Sequence, residues 1–273
     1  VTIPPLGWRD INQRMWDERV PIHTSSAFYD VAGFKAGKAQ LEPFEVEELG
    51  PLGGRHLAHL QCHFGLDTLD LVRMHPGLTA AGLDFSLPAI KEARTLAADL
   101  ELDQRATFVQ ADVATAVDTL GAGAFDVVYT GKGALCWLPD MLGWAHQCAG
   151  LVKPGGFLYV CEFHEVGYCL AQDQPVVAND YFFPGPLVEE CEGTYADLDA
   201  DTTNNTSYQW PHPTAQVLTA ISTAGLHLRF FHEWDYTLFQ LNKWLVRGKD
   251  GRYRWPGPGR LPLMYSLKAE KPA

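Results

Sequence analysis

Residues 55–86 read RHLAHLQCHFGLDTLDLVRMHPGLTAAGLDFS. The apolar run His56-Leu-Ala-His-Leu-Gln61 has the length of a strand. A polar turn holding Gly65 follows, and residues 66–75 then carry apolar side chains at helical spacing. The next apolar run, Thr79-Ala-Ala-Gly-Leu-Asp84, ends on an acid. Ser86 has the side chain of an N-cap, and Pro88 falls in a first helical turn, where a missing N–H costs little. Ile90, Ala93, Leu96, Ala97 and Leu100 repeat at helical spacing beyond it. Strand, helix, strand, helix at such short spacing predicts parallel strands joined by crossover helices.

Working outward, the alternation continues through the strands Ala106-Thr-Phe-Val-Gln110, Phe125-Asp-Val-Val-Tyr-Thr130 and Phe157-Leu-Tyr-Val-Cys161. It predicts an α/β fold, a Rossmann-like, seven-stranded and mostly parallel sheet with helices on both faces. Right-handed crossovers put the C-terminal ends of the strands along one edge, where such sheets bind ligands. The expected division is a lid segment at 1–50, a cofactor-binding core at 51–165, an insertion at 166–212 on the substrate side and a C-terminal part of the core at 213–273. The lid segment is aromatic and helix-prone. The insertion is loop-rich, a length that is usually functional or mobile. Residues 214–224 predict a helix, and residues 226–236 and 261–269 two closing strands.

The 273 residues carry 21 Lys+Arg against 33 Asp+Glu, a net charge of −12, which disfavours nucleic acid and anionic membranes as partners. A small-molecule substrate is expected, with the chain a monomer or homodimer. No stretch approaches the roughly 20 apolar residues of a membrane span. Residues 1–10 lack the basic-then-apolar build of a secretory signal. The six cysteines form no CxxC pair and several lie in apolar runs, the pattern of free thiols in a reducing, cytoplasmic setting.

The chemistry-bearing residues fall at strand ends. The first strand ends in Leu60-Gln-Cys-His-Phe-Gly65, where backbone N–H groups and a helix N-terminus can meet a polar ligand. One glycine stands there, so a GxGxxG fingerprint is absent. His59, Cys62 and His63 lack the spacing of a zinc set, and no metal is expected. Asp84 can accept two hydrogen bonds from a ribose diol, or serve the following helix. Asp112, in Gln110-Ala-Asp-Val113, can accept from an exocyclic amine. Together the two carboxylates point to a purine nucleoside.

Read in order, Leu60-Gln-Cys-His-Phe-Gly65, Gly82-Leu-Asp-Phe-Ser86, Gln110-Ala-Asp-Val113, Phe125-Asp-Val-Val-Tyr129 and the turn in Leu151-Val-Lys-Pro-Gly-Gly156 resemble the motif series of class I S-adenosylmethionine-dependent methyltransferases. The resemblance covers roughly residues 55–165 and extends to a divergent small-molecule, natural-product branch. It implies S-adenosyl-L-methionine as cofactor. Its methionine part would lie on Gln61, Cys62, His63 and Gly65, and its ribose on Asp84. Phe85, with Ser86 beside it, would pack on the adenine, and Asp112 and Val113 would meet the amino edge. Thr130, Gly131 and Lys132 would face the sulfonium and the substrate. The chain departs from the family at the first motif, with His59 where an acid is common and Gln61 and His63 at glycine positions.

Methyl transfer is an in-line displacement, so positioning supplies much of the rate, and a base is needed only for a protonated nucleophile of high pKa. His164, just past the fifth strand, is the first candidate base, with His212 and His232 behind it. His23, Tyr29, Trp137, Phe163, Tyr181 and Trp210 are the candidate substrate contacts, since aromatic walls favour flat or cationic guests. The expected activity is methyl transfer to nitrogen or oxygen of a small aromatic or cyclic natural product, such as an indole or cyclic dipeptide. The alternatives are an NAD(P)-dependent oxidoreductase, which the missing glycine triad disfavours, and a module that binds S-adenosylmethionine without transferring its methyl group.

Overall fold

The computed structural model describes residues 4–273, and the first three residues of the expected lid segment lie outside them. Its centre is a seven-stranded sheet of β1 (His56–Leu60), β2 (Thr79–Asp84), β3 (Ala106–Gln110), β4 (Phe125–Thr130), β5 (Val152–Phe163), β6 (His227–Trp234) and β7 (Met264–Glu270). The order across the sheet is 3-2-1-4-5-7-6. Strands β1 to β5 pair in parallel, while β7 runs antiparallel to both neighbours. The Rossmann-like architecture expected of the sequence is thus present.

The main helices are α1 (Trp8–Ser25), α2 (Pro43–Leu49), α3 (Leu66–Met74), α4 (Leu87–Asp99), α5 (Met141–Leu151) and α6 (Thr214–Thr223). Both faces of the sheet are covered. Leu57, Val127 and Tyr129 pack in one hydrophobic cluster, whereas Ala58, Leu60 and Val128 pack in the other. That alternation explains why the central strands read as unbroken apolar runs. Ser86 caps α4 by accepting from the Ala89 N–H, and Ile90, Ala93, Leu96 and Ala97 form its buried stripe.

Three differences from the sequence reading have clear causes. Helix α5, the crossover between β4 and β5, has no span marked in the sequence, because Gly143 and Gly150 dilute its helical propensity. It forms around the Asp140 cap and a buried face of Met141, Trp144, Ala145 and Cys148. The Lys-Pro-Gly-Gly segment is not a turn ahead of β5 but a bulge within it. Phe125 pairs with Val152 and Val127 with Phe157, so residues 153–156 loop out opposite Asp126. Lys153 binds Asp126, and the Gly155 N–H donates to the Lys271 carbonyl. The insertion, expected to be aperiodic, contains a hairpin of residues 187–190 against 206–209.

Among the described residues no helix is long and apolar enough to cross a membrane.

Candidate functional site

A cleft enclosing about 1090 Å³, its open mouth included, lies beyond the C-terminal ends of the parallel strands. Its floor begins at the turn after β1. Gln61 and His63 have φ of 57° and 50°, the left-handed conformation, as does Gly65 at 81°. The backbone therefore keeps a glycine-type path through two residues that are not glycine, a strain that persists where surrounding contacts fix it. Gln61 Nε2 donates to the Ala134 carbonyl at 2.8 Å, and His63 pairs with His23 at 3.0 Å. Gly65 is irreplaceable for a different reason, since a Cβ there would meet the Phe108 ring at 2.6 Å.

Asp84 stands on the next strand end and lines the cleft. Its two oxygens accept the His63 and Ser86 N–H groups at 2.8 and 2.9 Å. Burial pushes its pKa up to about 6 against the lowering effect of those bonds. Asp112, after β3, accepts from the Ala114 N–H and pairs with Arg9 of α1. Phe85 and Val113 lie beside the two acids on the cleft wall.

The fourth strand end supplies Lys132, held between Glu45 of α2 at 2.8 Å and Asp67 of α3 at 3.2 Å. Burial alone would lower its pKa, but Asp67 and Glu45 overcome that and hold it well above the ordinary value. Burial, then the Lys132 charge, lowers the His59 pKa to about 3, and His59 Nδ1 meets the Thr68 hydroxyl at 2.7 Å. The position where the family usually has an acid is therefore neutral here. The following turn is tied down by Glu162, which accepts from the backbone N–H groups of Gly133, Ala134 and Leu135. That turn presents Trp137 and Leu138 to the cleft.

Helix α1 forms the roof with Trp8, Arg9, Asn12 and Trp16. Trp16 stands edge-on to Trp137 and His63, with ring centroids 5.2 and 5.4 Å apart. The helix is clamped to the insertion. Asn12 exchanges two hydrogen bonds with the Tyr208 backbone, Glu18 accepts from Thr203 and Asn204, and Arg19 donates to the Gly193 carbonyl. Tyr195 of the insertion lines the cleft and shares a hydrogen bond with Tyr29.

Of the residues singled out in the sequence, Gln61, His63, Asp84, Phe85, Asp112, Val113, Lys132, Tyr29 and Trp137 line this one cleft. Cys62, Gly65, Ser86, Thr130 and Gly131 are not in its wall. Cys62 packs against Gly82, and Thr130 is fully buried. The three candidate bases lie elsewhere. His164 is buried and caps a short helix by accepting from the Val166 N–H, while its Nε2 sits 3.2 Å from both Thr214 and Glu233. His212 Nε2 donates to the Leu138 carbonyl from behind the cleft wall. His232, on the outer strand β6, pairs with Glu48 of α2. Four aromatic-ring candidates are also set back. His23 is buried behind His63, Phe163 packs edge-on to Phe239, the Tyr181 hydroxyl accepts from the Thr214 N–H, and Trp210 lies edge-on under Trp8. Spatial partners decide each of these placements, and a linear reading does not contain them. Conversely Arg9, Asn12, Trp16, Tyr195 and Glu162 were not singled out in the sequence, although Asn12 and Trp16 lie in the aromatic, helix-prone lid segment and Tyr195 in the insertion expected on the substrate side.

Residues 58–158 match the model of a family described as a methyltransferase domain. The chain is 29% identical over 139 residues to a ubiquinone biosynthesis O-methyltransferase of Vibrio parahaemolyticus, covering 50% of this chain and 57% of that protein. It spans about half the length of the curated relatives it matches. Among solved structures, it resembles a geranyl diphosphate C-methyltransferase of Streptomyces coelicolor crystallised with S-adenosyl-L-homocysteine. There the TM-score is 0.62 at 13% identity, covering 99% of this chain and 100% of that one. It also resembles the (4+2)-cyclase SpnF, with a TM-score of 0.63 at 14% identity, covering 100% of this chain and 98% of that one. At such identities the structural likeness is one of fold, and function must be argued from the site. Residues 58–158 are thus similar to a methyltransferase domain, and the fold is one shared with S-adenosylmethionine-dependent methyltransferases. The cofactor of that class is S-adenosyl-L-methionine.

Proposed function

We propose that this chain transfers the methyl group of S-adenosylmethionine to an oxygen or nitrogen of a small aromatic or cyclic molecule. The observation that carries the reading is that Asp84 and Asp112, on consecutive strand ends, line one aromatic-walled cleft together with the turn after β1. These residues fit the cofactor. In this reading Asp84 accepts from the ribose hydroxyls, and Asp112 with Val113 meets the adenine edge. Phe85 flanks the base, and the turn at 61–65 receives the amino-acid tail. When bound, S-adenosylmethionine supplies a methyl group made electrophilic by its sulfonium.

The chain's own part is then to orient and to exclude water. Helix α1 roofs the cleft with Trp8 and Trp16, and Trp137 closes one side. Tyr29 and Tyr195 form a wall suited to a flat guest. Since His164, His212 and His232 do not line the cleft, this reading assigns none of them proton removal and rests the rate on positioning. Oxygen as the acceptor atom accords with the curated relatives' names as O-methyltransferases, and the six free cysteines with the cytoplasm as its location.

The test is mass spectrometry with isotope-labelled S-adenosylmethionine over a panel of phenols, indoles and cyclic dipeptides. Labelled methyl on one of these supports the reading. Binding of S-adenosylhomocysteine without transfer across the panel would favour a non-catalytic module, and binding of NADH in its place an oxidoreductase.

A further inference from the structure

Two imidazoles, one on the roof and one on the floor, meet at the tail end of the cleft. His23 of α1 is fully buried, and its Nδ1 lies 3.0 Å from His63 Nε2. Burial, then the nearby Arg19, lowers His23 to about 3, and burial holds His63 well below its ordinary value, so both rings are neutral. One of the two facing nitrogens must then carry the shared proton. His23 Nε2 is buried without a partner among the described residues. Were the His23 proton on Nε2, an N–H would be stranded in the interior, a rare and costly defect. A proton on His23 Nδ1 avoids that penalty and makes His23 the donor.

The consequence falls on His63. With Nε2 accepting, its own proton sits on Nδ1, which has no partner among the described residues, in a side chain that lines the cleft. His63 also holds a left-handed backbone that glycine would adopt without strain. The two cleft-lining cations are already paired, Arg9 with Asp112 and Lys132 with Glu45 and Asp67. An anionic group arriving at this turn would therefore depend on a neutral donor.

We infer that His23 is a positioning residue, which donates Nδ1–H to His63 Nε2 and so fixes His63 as the tautomer presenting Nδ1–H to the α-carboxylate of the cofactor. This rests on the reading of the cleft as an S-adenosylmethionine site, and it adds a tail contact that replaces glycine's role at position 63 with a side-chain donor.

Calorimetry with two probes separates the two claims. S-adenosylhomocysteine has the amino-acid tail and 5′-methylthioadenosine lacks it. His63→Phe should weaken S-adenosylhomocysteine about 10- to 100-fold, the scale of a hydrogen bond to a charged group, and leave 5′-methylthioadenosine unchanged. His23→Leu should show a smaller loss of the same selective kind. His23→Asn, whose amide N–H can stand near the Nδ1 position, should restore most of it. Nitrogen-15 spectra of histidine-labelled protein should show His23 protonated at Nδ1 and His63 at Nδ1. The 5′-methylthioadenosine affinity also reports that each variant is folded. Failure of the wild-type protein to bind either probe would overturn the cofactor reading itself. Binding of both, with equal losses for both or none in His63→Phe, or with His63 protonated at Nε2, would overturn this inference alone.

Discussion

The Asp84 carboxyl takes a backbone N–H on each oxygen, from His63 and from Ser86, and still forms part of the cleft wall. Burial raises its pKa from 3.8 to about 6. For the empty protein the sign is clear. A carboxyl whose pKa rises on folding contributes stability that is present below about 4 and lost as pH rises through about 6. For the ligand the sign reverses, because hydroxyl donors favour the charged form. Affinity for S-adenosylhomocysteine should be flat above pH 7 and fall as pH drops below about 6, by at most about tenfold per unit. Asp84→Asn should bind about 10- to 100-fold more weakly and lose that pH dependence. Calorimetry from pH 5 to 8 checks both, and an unchanged profile in a folded variant would remove Asp84 from the ribose. Asp84 was legible in the sequence because a strand end fixes where its side chain emerges. His164 also follows a strand end, yet a cap on one nitrogen and Thr214 and Glu233 beside the other hold it away from the cleft.

At the scale of elements, one acid gathers the N–H groups of the turn after β4. Glu162 accepts three consecutive N–H groups, from Gly133, Ala134 and Leu135, and a fourth from Phe163. Glu162→Gln replaces one acceptor oxygen with an N–H₂ that faces these donors. The expected loss is about 1–3 kcal/mol of stability, the cost of leaving buried donors unmet. Thermal unfolding should move down by several degrees, at about 2–4 °C per kcal/mol for a domain of this general size. An unchanged midpoint would show that the turn holds without it. Strands β1 to β4 were legible because a buried parallel strand is an apolar run with a sharp end. Helix α5 was not, since only its packing against the sheet outweighs its two glycines. The bulge at residues 153–156 was visible as Lys-Pro-Gly-Gly, but its place inside β5 depends on the pairing with β4 and on contacts with the C-terminal tail.

Across the whole molecule, helix α1 makes more hydrogen bonds to the insertion than to the cleft floor. Asn12, Glu18 and Arg19 bind the 193–208 region, whereas α1 reaches the cleft floor through Arg9 on Asp112, Gln13 on the Phe85 carbonyl and His23 on His63. Two segments far apart in sequence thus act as one cover. Asn12→Ala should quicken hydrogen exchange in residues 8–25 and 203–209 together while leaving β1 to β5 unchanged. Faster exchange in the helix alone would separate the two parts. The central claim is that the cleft beneath this cover is an S-adenosyl cofactor site read by Asp84. The most direct measurement is calorimetric titration of the wild-type chain and Asp84→Asn with S-adenosylhomocysteine and with NADH. The account predicts saturable binding of S-adenosylhomocysteine, weakened about 10- to 100-fold in the variant, and none of NADH. Binding of NADH without S-adenosylhomocysteine, or equal S-adenosylhomocysteine affinity in both folded proteins, would contradict it.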